Sequence, residues 1–119
     1  MTFLCVDDSA TVRKIIGMAL NEAGHHCVEA ENGRVALDKL AAAKPDCIVL
    51  DINMPVMGGI EFLGEKNKIA EAASIPVIVL TTQDEEALRT EAMGLGANGF
   101  LAKPFDKAAL LSAISRILG

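Results

Sequence analysis

The sequence predicts an α/β fold in which a parallel sheet of five strands is covered by five helices on both of its faces. Short apolar runs alternate along the chain with longer segments that have helical periodicity. The connections between them are short, which is typical of parallel strands joined by helices. The runs are apolar throughout rather than at every second residue, as expected of strands buried on both faces.

Each of the five apolar runs is a predicted strand. The predicted strands are 3–6, 26–30, 47–50, 76–80 and 99–102. The run 26–30 contains more polar residues than the others, so we expect its strand to lie nearer an edge of the sheet.

Capping residues, glycines and prolines predict where the first two helices begin and end. Ser9 is a good N-cap for the first helix, and Gly24 ends it. A turn at Asn32-Gly33 precedes the second helix, which ends before Pro45.

The three later helices are predicted in the same way. The third follows a glycine-containing turn and carries Ile60, Leu63 and Ile69 on one side. Asp84 is predicted to cap the fourth helix, and Asp106 the fifth.

Length and composition predict one domain, 1–119, in a soluble protein. The chain is 51% hydrophobic but has no Trp or Tyr, so its core is aliphatic, and the net charge of -5 argues against a nucleic-acid partner. Cys5, Cys27 and Cys47 lie in strand-like runs and are interpreted as buried thiols in a reducing compartment. Because no signal peptide or membrane-spanning run is visible, we expect a cytoplasmic monomer without membrane insertion.

Polar side chains stand where the predicted strands end. The first strand ends at Asp7 and Asp8, the third at Asp51, the fourth at Thr81 and the fifth at Lys103. In a parallel sheet these ends lie on one rim, where ligands of such folds bind. Singly, each has an ordinary interpretation as a helix cap, a strand end or a surface lysine, but their coincidence on one rim favours a site.

The charges of these residues suggest phosphoryl chemistry. Three carboxylates repel one another and favour a bound divalent cation, and oxygen ligands favour a hard ion such as Mg2+. With Lys103 the cation would cradle a phosphoryl group, and Asp51 could act as the nucleophile that forms an aspartyl phosphate. Thr81 and neighbouring backbone N–H groups can donate hydrogen bonds to the remaining phosphoryl oxygen.

Four segments resemble the response-regulator receiver family of two-component signalling, in order and in spacing. These segments are 6–9, 50–59, 80–82 and 103–105. The resemblance spans the whole chain and implies a doubly wound, flavodoxin-like fold with strand order 2-1-3-4-5. Among family members the chain is most similar to the stand-alone CheY-type chemotaxis regulators.

The resemblance implies a role for each acidic residue. Asp51 corresponds to the phosphoacceptor, and Asp7 and Asp8 correspond to the acidic pair that holds Mg2+. With Asp51, the backbone carbonyl of Asn53 is implied as a further metal ligand.

Further roles are implied for residues that would contact or sense the phosphoryl group. Thr81 corresponds to the switch hydroxyl, Lys103 pairs with the phosphate, and Thr82 and Asn53 complete the phosphate-binding set. Lys103 is followed by Pro104, across a peptide bond that is cis in the family.

Three positions bear on how the switch is read and how long it lasts. Phe100 corresponds to an aromatic residue that changes rotamer, and it lacks the hydroxyl of the Tyr that is often found there. Asn53 and Gln83 correspond to two variable positions that modulate the lifetime of the phosphoryl group.

We therefore expect a phosphorylation-activated switch that receives its phosphoryl group from a histidine kinase and changes partner binding, in chemotaxis. It is expected to be a stoichiometric phosphoacceptor that promotes its own phosphorylation and dephosphorylation, rather than an enzyme. Expected partners are a phospho-specific output protein such as the flagellar motor switch, and a phosphatase. A phosphorelay shuttle, or the receiver part of a larger regulator, remains open.

Two other classes of function are considered. A Mg2+-dependent phosphohydrolase would use Asp51 as nucleophile, but Asn53 stands where such enzymes need a general acid. A flavin mononucleotide carrier is disfavoured because Asp7-Asp8 would repel a phosphate and no Trp or Tyr is available to stack on the flavin.

Overall fold

The computed structural model describes residues 1–118 and shows a five-stranded parallel sheet in the order β2-β1-β3-β4-β5. The strands are β1 (Thr2–Val6), β2 (His26–Ala30), β3 (Cys47–Asp51), β4 (Val77–Thr81) and β5 (Gly99–Ala102). The predicted fold class and the strand order implied by the resemblance are confirmed. The least apolar strand, β2, lies at an edge, as its composition predicted.

Helices follow each of the strands. They are α1 (Ala10–Glu22), α2 (Gly33–Ala43), α3 (Gly59–Asn67), α4 (Glu86–Gly94) and α5 (Lys107–Leu118), with a 3-10 turn at Gln83–Glu85. The alternation of five strands with five helices is therefore as predicted for the described residues. Within 1–118, every helix is too short or too polar to cross a lipid bilayer.

The sheet is buried on both faces because alternate residues of each inner strand point in opposite directions. The face beneath α1 and α5 buries Phe3, Cys5, Cys47, Val49, Ile78 and Leu80. The face beneath α2, α3 and α4 buries Leu4, Val6, Ile48, Leu50, Val77 and Val79. With both faces covered, the carboxyl ends of the strands remain accessible as one rim, and that rim positions the site.

The prediction that Ile69 lies on the third helix is wrong. Helix α3 ends at Asn67, and Ile69 is 36% exposed. The buried ammonium group of Lys66 donates a hydrogen bond of 3.0 Å to the carbonyl of Ala73. The spacing of the apolar residues predicted one more turn of helix. The contact between Lys66 and Ala73 instead favours a turn of the chain after Asn67.

Two predicted boundaries also need correction. Asp84 does not cap the fourth helix. A 3-10 turn precedes α4 and has Thr82 as its N-cap, and the Thr82 N–H donates a hydrogen bond of 2.8 Å to the Glu85 carboxylate. Asn32-Gly33 is not a free turn, because Asn32 accepts a hydrogen bond from the N–H of Val35 and is the N-cap of α2.

Candidate functional site

The carboxyl ends of β1 and β3 bring three aspartates together. These strands are parallel neighbours with Val6 paired to Leu50, so Asp7, Asp8 and Asp51 follow at the same edge. One carboxylate oxygen from each lies within 4.8 Å of the others. Asp7 is fully buried, Asp51 is 4% exposed and Asp8 faces solvent, so this acidic group opens on one side.

Lys103 reaches this group from the end of β5. Its Nζ atom lies 2.9 Å from Oδ2 of Asp7 and 3.2 Å from Oδ1 of Asp51. Its backbone N–H donates a 2.7 Å hydrogen bond to the carbonyl of Thr81, and the Lys103–Pro104 peptide bond is cis. We call Asp7, Asp8, Asp51 and Lys103 the acidic pocket.

Local hydrogen bonds fix the backbone and one carboxylate oxygen of Asp7. Oδ1 accepts from the N–H of Ser9 at 2.8 Å, and the Asp7 carbonyl accepts from Nη1 of Arg13 at 2.7 Å. The Asp7 N–H donates to the carbonyl of Ala30 at 3.1 Å. Oδ2 is buried and accepts no well-directed hydrogen bond, so its close neighbour Lys103 compensates it by charge alone.

The chain after Asp51 packs closely against the start of α3. The N–H of Gly59 donates to the carbonyl of Ile52 at 3.0 Å. A Cβ atom on Gly59 would come within 2.7 Å of the Asp51 carbonyl oxygen, so only glycine fits here without moving the backbone of the site.

Burial and charge shift the titration of the two central groups. Burial, and then repulsion from Asp7, raise the pKa of Asp51 to about 6, although Lys103 and the backbone N–H of Asn53 oppose the shift. Burial alone would lower the pKa of Lys103, but its contacts with Asp7 and Asp51 outweigh burial and raise it. Asp51 is therefore an unusually basic carboxylate beside a firmly protonated lysine.

The acidic pocket fits a hard divalent cation. Its donors are carboxylate oxygens, which Mg2+ prefers, and Oδ2 of Asp7 is a buried acceptor without a directed partner. The exposure of Asp8 leaves one side open to water, and Mg2+ usually keeps several water ligands.

A cleft beside the acidic pocket contains four of the other predicted residues. It has a volume of about 400 Å³ and is lined by Thr81, Thr82, Gln83, Glu86, Arg89, Phe100 and Ala102. We call it the β4–β5 cleft. The Arg89 guanidinium carbon lies 4.8 Å from the centre of the partly buried Phe100 ring, which is the geometry of a cation–π contact.

The predicted residues thus fall into two neighbouring groups. Among residues 1–118, no side-chain hydrogen bond joins the Thr81 hydroxyl to Asp51. Thr81 is buried at the end of β4, and its backbone carbonyl is what connects the cleft to Lys103. Asn53 is exposed two residues beyond Asp51.

Sequence reasoning missed three features that shape these groups: one capping box and the contacts of two arginines. The capping box of Thr82 and Glu85 was readable from the Thr-x-x-Glu spacing, which is a known helix-start signal. Arg13 holds the Asp7 carbonyl and Arg89 covers Phe100, but both contacts depend on tertiary packing and leave no local pattern in the sequence.

The comparisons with known proteins agree on one family. A family model described as the response regulator receiver domain matches residues 3–115. Protein PilH of Pseudomonas aeruginosa is 36% identical over 115 residues, which cover 97% of this chain and 95% of PilH.

One solved structure and one longer relative belong to the same set of similar proteins. The structure of the chemotaxis protein CheY4 of Vibrio cholerae superimposes with a TM-score of 0.92 at 36% identity, covering 98% of this chain and 97% of that one. The phosphate regulon transcriptional regulatory protein PhoB of Pseudomonas aeruginosa is 36% identical over 117 residues, which cover 98% of this chain. The chain spans only 51% of the length of PhoB, so it is similar both to stand-alone proteins and to part of a longer one.

Proposed function

This chain belongs to the response regulator receiver domain family, and we propose that it is a phosphorylation-activated switch whose phosphoacceptor is Asp51. The observation that carries the proposal is the bridging position of Lys103, with Nζ 2.9 Å from Asp7 and 3.2 Å from Asp51. Asp51, whose pKa is raised by burial, provides a nucleophile, and the ammonium group beside it provides a counter-charge for an incoming phosphoryl group.

In the proposed reaction, an Oδ atom of Asp51 attacks the phosphorus of a phosphohistidine on the donor kinase. The new P–O bond forms as the P–N bond breaks, and the imidazole leaves with the electron pair of that bond. Lys103 can follow the negative charge onto the phosphoryl oxygens because it already contacts Asp51. Each chain accepts one phosphoryl group on Asp51 and keeps it as the signal until hydrolysis returns the carboxylate, so we propose a stoichiometric acceptor rather than a turnover enzyme.

We propose that Mg2+ is held by Asp7, Asp8, Asp51 and the backbone carbonyl of Asn53. When bound, the cation supplies positive charge that neutralises the carboxylates and the phosphoryl oxygens. Asp7 is the most rigid of these donors, since its Oδ1 and its backbone are already hydrogen-bonded.

The readout is proposed to run through the β4–β5 cleft. A phosphoryl oxygen would give the Thr81 hydroxyl a charge-assisted hydrogen bond, which is stronger than a neutral one. Inward movement of Thr81 would change the space available to the Phe100 ring, because both residues line the cleft. Thr82 completes phosphate binding, and Asn53 and Gln83 tune the lifetime by controlling the approach of water.

The partners we propose are a histidine kinase as donor, an output protein that binds the phosphorylated form, and a phosphatase. The similarity to the chemotaxis protein CheY4 supports a role in chemotaxis with the flagellar motor switch as the output partner, and the similarity to PilH and PhoB supports the alternatives of another pathway or a larger regulator. We propose that the chain acts as a monomeric receiver in the cytoplasm, a reducing compartment in which its three free cysteines would be kept as thiols.

Incubation with Mg2+ and a small acyl phosphate, followed by intact mass and fragmentation, tests the proposal. We expect one phosphoryl group on Asp51, none on Asp51→Asn, and normal labelling of Asp38→Asn, which removes an exposed carboxylate of α2. A phosphoryl group on a hydroxyl or imidazole side chain instead would contradict the assignment.

A further inference from the structure

Two cysteine thiols that are not part of the acidic pocket are in direct contact beneath α1. Sγ of Cys5 lies 2.7 Å from Sγ of Cys27, whereas a disulfide bond is about 2.0 Å long. Cys5 is fully buried in β1, and Cys27 in β2 is partly exposed. A peroxide-sized molecule can therefore reach Cys27, whereas Cys5 is shielded from solvent.

The sheet register puts the two thiols on the same face but at staggered positions. Cys27 is paired with Phe3, and Cys5 with Glu29, so the cysteines are offset by two residues along parallel strands. A rise of about 3.3 Å per residue over this offset, across a strand spacing of about 4.8 Å, puts the two Cα atoms about 8 Å apart. A disulfide bridge usually requires Cα atoms no more than about 7 Å apart, so we expect β2 to shift along β1 when the bond closes. As an edge strand, β2 can slide without breaking a second set of strand hydrogen bonds.

The helix above places no side chain over this thiol. Gly17 of α1 faces Cys27, and a Cβ atom built on Gly17 would already be in van der Waals contact with Sγ of Cys27, at 4.0 Å. A larger residue would fill the approach to the thiol.

We propose that Cys5 and Cys27 form a reversible disulfide when a hydroperoxide reacts with Cys27. The Cys27 thiolate attacks the peroxide, the O–O bond breaks, and a sulfenic acid and one water (or alcohol) result. The Cys5 sulfur then attacks the Cys27 sulfur, the S–O bond breaks, and a second water leaves. Two thiols are oxidised to one disulfide, and one peroxide is reduced.

The ionisation of Cys27 agrees with this order. The hydrogen bond with Cys5 lowers the pKa of Cys27. The partly exposed thiol is therefore more readily ionised than an ordinary cysteine, and the thiolate is the reactive form. Cys47 is a natural control, because it is buried and burial raises its pKa to about 12.

The bridge would act on the acidic pocket, a consequence that depends on the proposed metal site. The N–H of Asp7 donates to the carbonyl of Ala30 on β2, and Arg13, which holds the Asp7 carbonyl, is paired with Glu29 of β2 at 3.0 Å. Sliding β2 moves both contacts and so displaces Asp7. Loss of comparable supporting contacts weakens metal binding by about tenfold or more.

Hydrogen peroxide treatment followed by alkylation of free thiols and peptide mass spectrometry tests the bond itself. In wild type we expect a Cys5–Cys27 disulfide that a dithiol reverses, with Cys47 still alkylated. Cys47→Ser should form the same bond, and Cys27→Ser should keep its Cys5 alkylated. Three free thiols, stable oxygen adducts on Cys27, or disulfides between chains would overturn the proposal.

A Mg2+ titration of the oxidised and reduced wild type, with oxidised Cys27→Ser as control, tests the coupling. We expect about tenfold weaker binding in the disulfide form only. Equal affinity of both forms would overturn the coupling while leaving the bond standing. Absence of Mg2+ binding even in the reduced form would instead contradict the proposed function.

Discussion

The acidic pocket and the β4–β5 cleft are neighbours on one rim of the sheet, yet they are built in opposite ways. In the pocket, buried charges hold one another, with Lys103 bridging Asp7 and Asp51. In the cleft, about 400 Å³ of open space separates side chains, and the cation–π contact of Arg89 with Phe100 spans part of it. Chemistry on a phosphoryl group needs charges held in fixed positions. A conformational response needs side chains with space to adopt a second conformation.

Thr81 belongs to both regions. Its backbone is tied to β5 through the register with Ala102 and the hydrogen bond from Lys103, while its side chain lines the cleft. A change of charge in the pocket can therefore reach the cleft through a single residue.

The largest expected effect is that of Lys103→Met on stability. Without the ammonium group, two buried carboxylates lose their counter-charge, and breaking such a buried pairing costs about 3 kcal/mol. Urea unfolding without metal should show this loss, and Mg2+ should recover part of it. The matched control is Lys107→Met, whose pair with Glu22 is more than half exposed on both sides and should cost under about 1 kcal/mol. Equal costs for the two variants would mean that the pocket is no more charge-dependent than the surface.

Next in size is a gain of stability from Asp51→Asn. The folded-state pKa of about 6 lies above the ordinary 3.8, so ionised Asp51 destabilises the fold at neutral pH. Without Mg2+, the variant should be more stable than wild type by up to about 3 kcal/mol at pH 7, and the gain should disappear as the pH falls through 6 towards 4. A gain that persists at pH 4, or one that Asp38→Asn reproduces, would argue against this origin.

A smaller gain should come from Mg2+. At a concentration tenfold above its dissociation constant, a ligand that binds only the folded state adds about 1.4 kcal/mol. Thermal unfolding with Mg2+, compared with sodium at the same ionic strength, measures this in wild type. The gain should shrink in Asp8→Asn, which removes the exposed donor; an undiminished gain would place the ion elsewhere.

The smallest effect is expected in the cleft. An exposed cation–π contact contributes about 0.5–1 kcal/mol, so Arg89→Ala should cost little stability. It should free the Phe100 ring, which NMR relaxation of ring-labelled phenylalanine can detect. Arg34→Ala, an exposed arginine of α2, controls for the change in helix propensity. A rigid Phe100 in Arg89→Ala would show that other contacts hold the ring.

The acidic pocket was predictable because the ends of the first, third and fifth strands are marked by charged residues in the sequence. Strand type and position follow from hydrophobic runs, and parallel topology then brings Asp7, Asp51 and Lys103 to one rim. Strand order was taken from the family resemblance, since no local pattern encodes which strands are neighbours.

What the sequence did not predict depends on single tertiary contacts. The spacing of the apolar residues predicted that α3 would include Ile69. The helix ends at Asn67 instead, where the buried Lys66 donates a hydrogen bond to the carbonyl of Ala73. The contact between Cys5 and Cys27 depends on the register of β1 and β2. The hydrophobic periodicity of the sequence does not specify which strands pair or in what register. In both cases the deciding partner lies in another element or turn.

The most direct test of the proposed coupling is the NMR signal of the Phe100 ring during phosphorylation. The chain has four Phe and no Tyr or Trp, so ring-labelled protein gives few signals, and Phe100→Leu assigns the relevant one. With excess acyl phosphate and Mg2+, we predict a shift of the Phe100 signal in wild type. In Thr81→Ala, mass spectrometry should still show phosphorylated Asp51, while the Phe100 signal stays where it was. The same shift in phosphorylated Thr81→Ala, or none in phosphorylated wild type, would contradict the account.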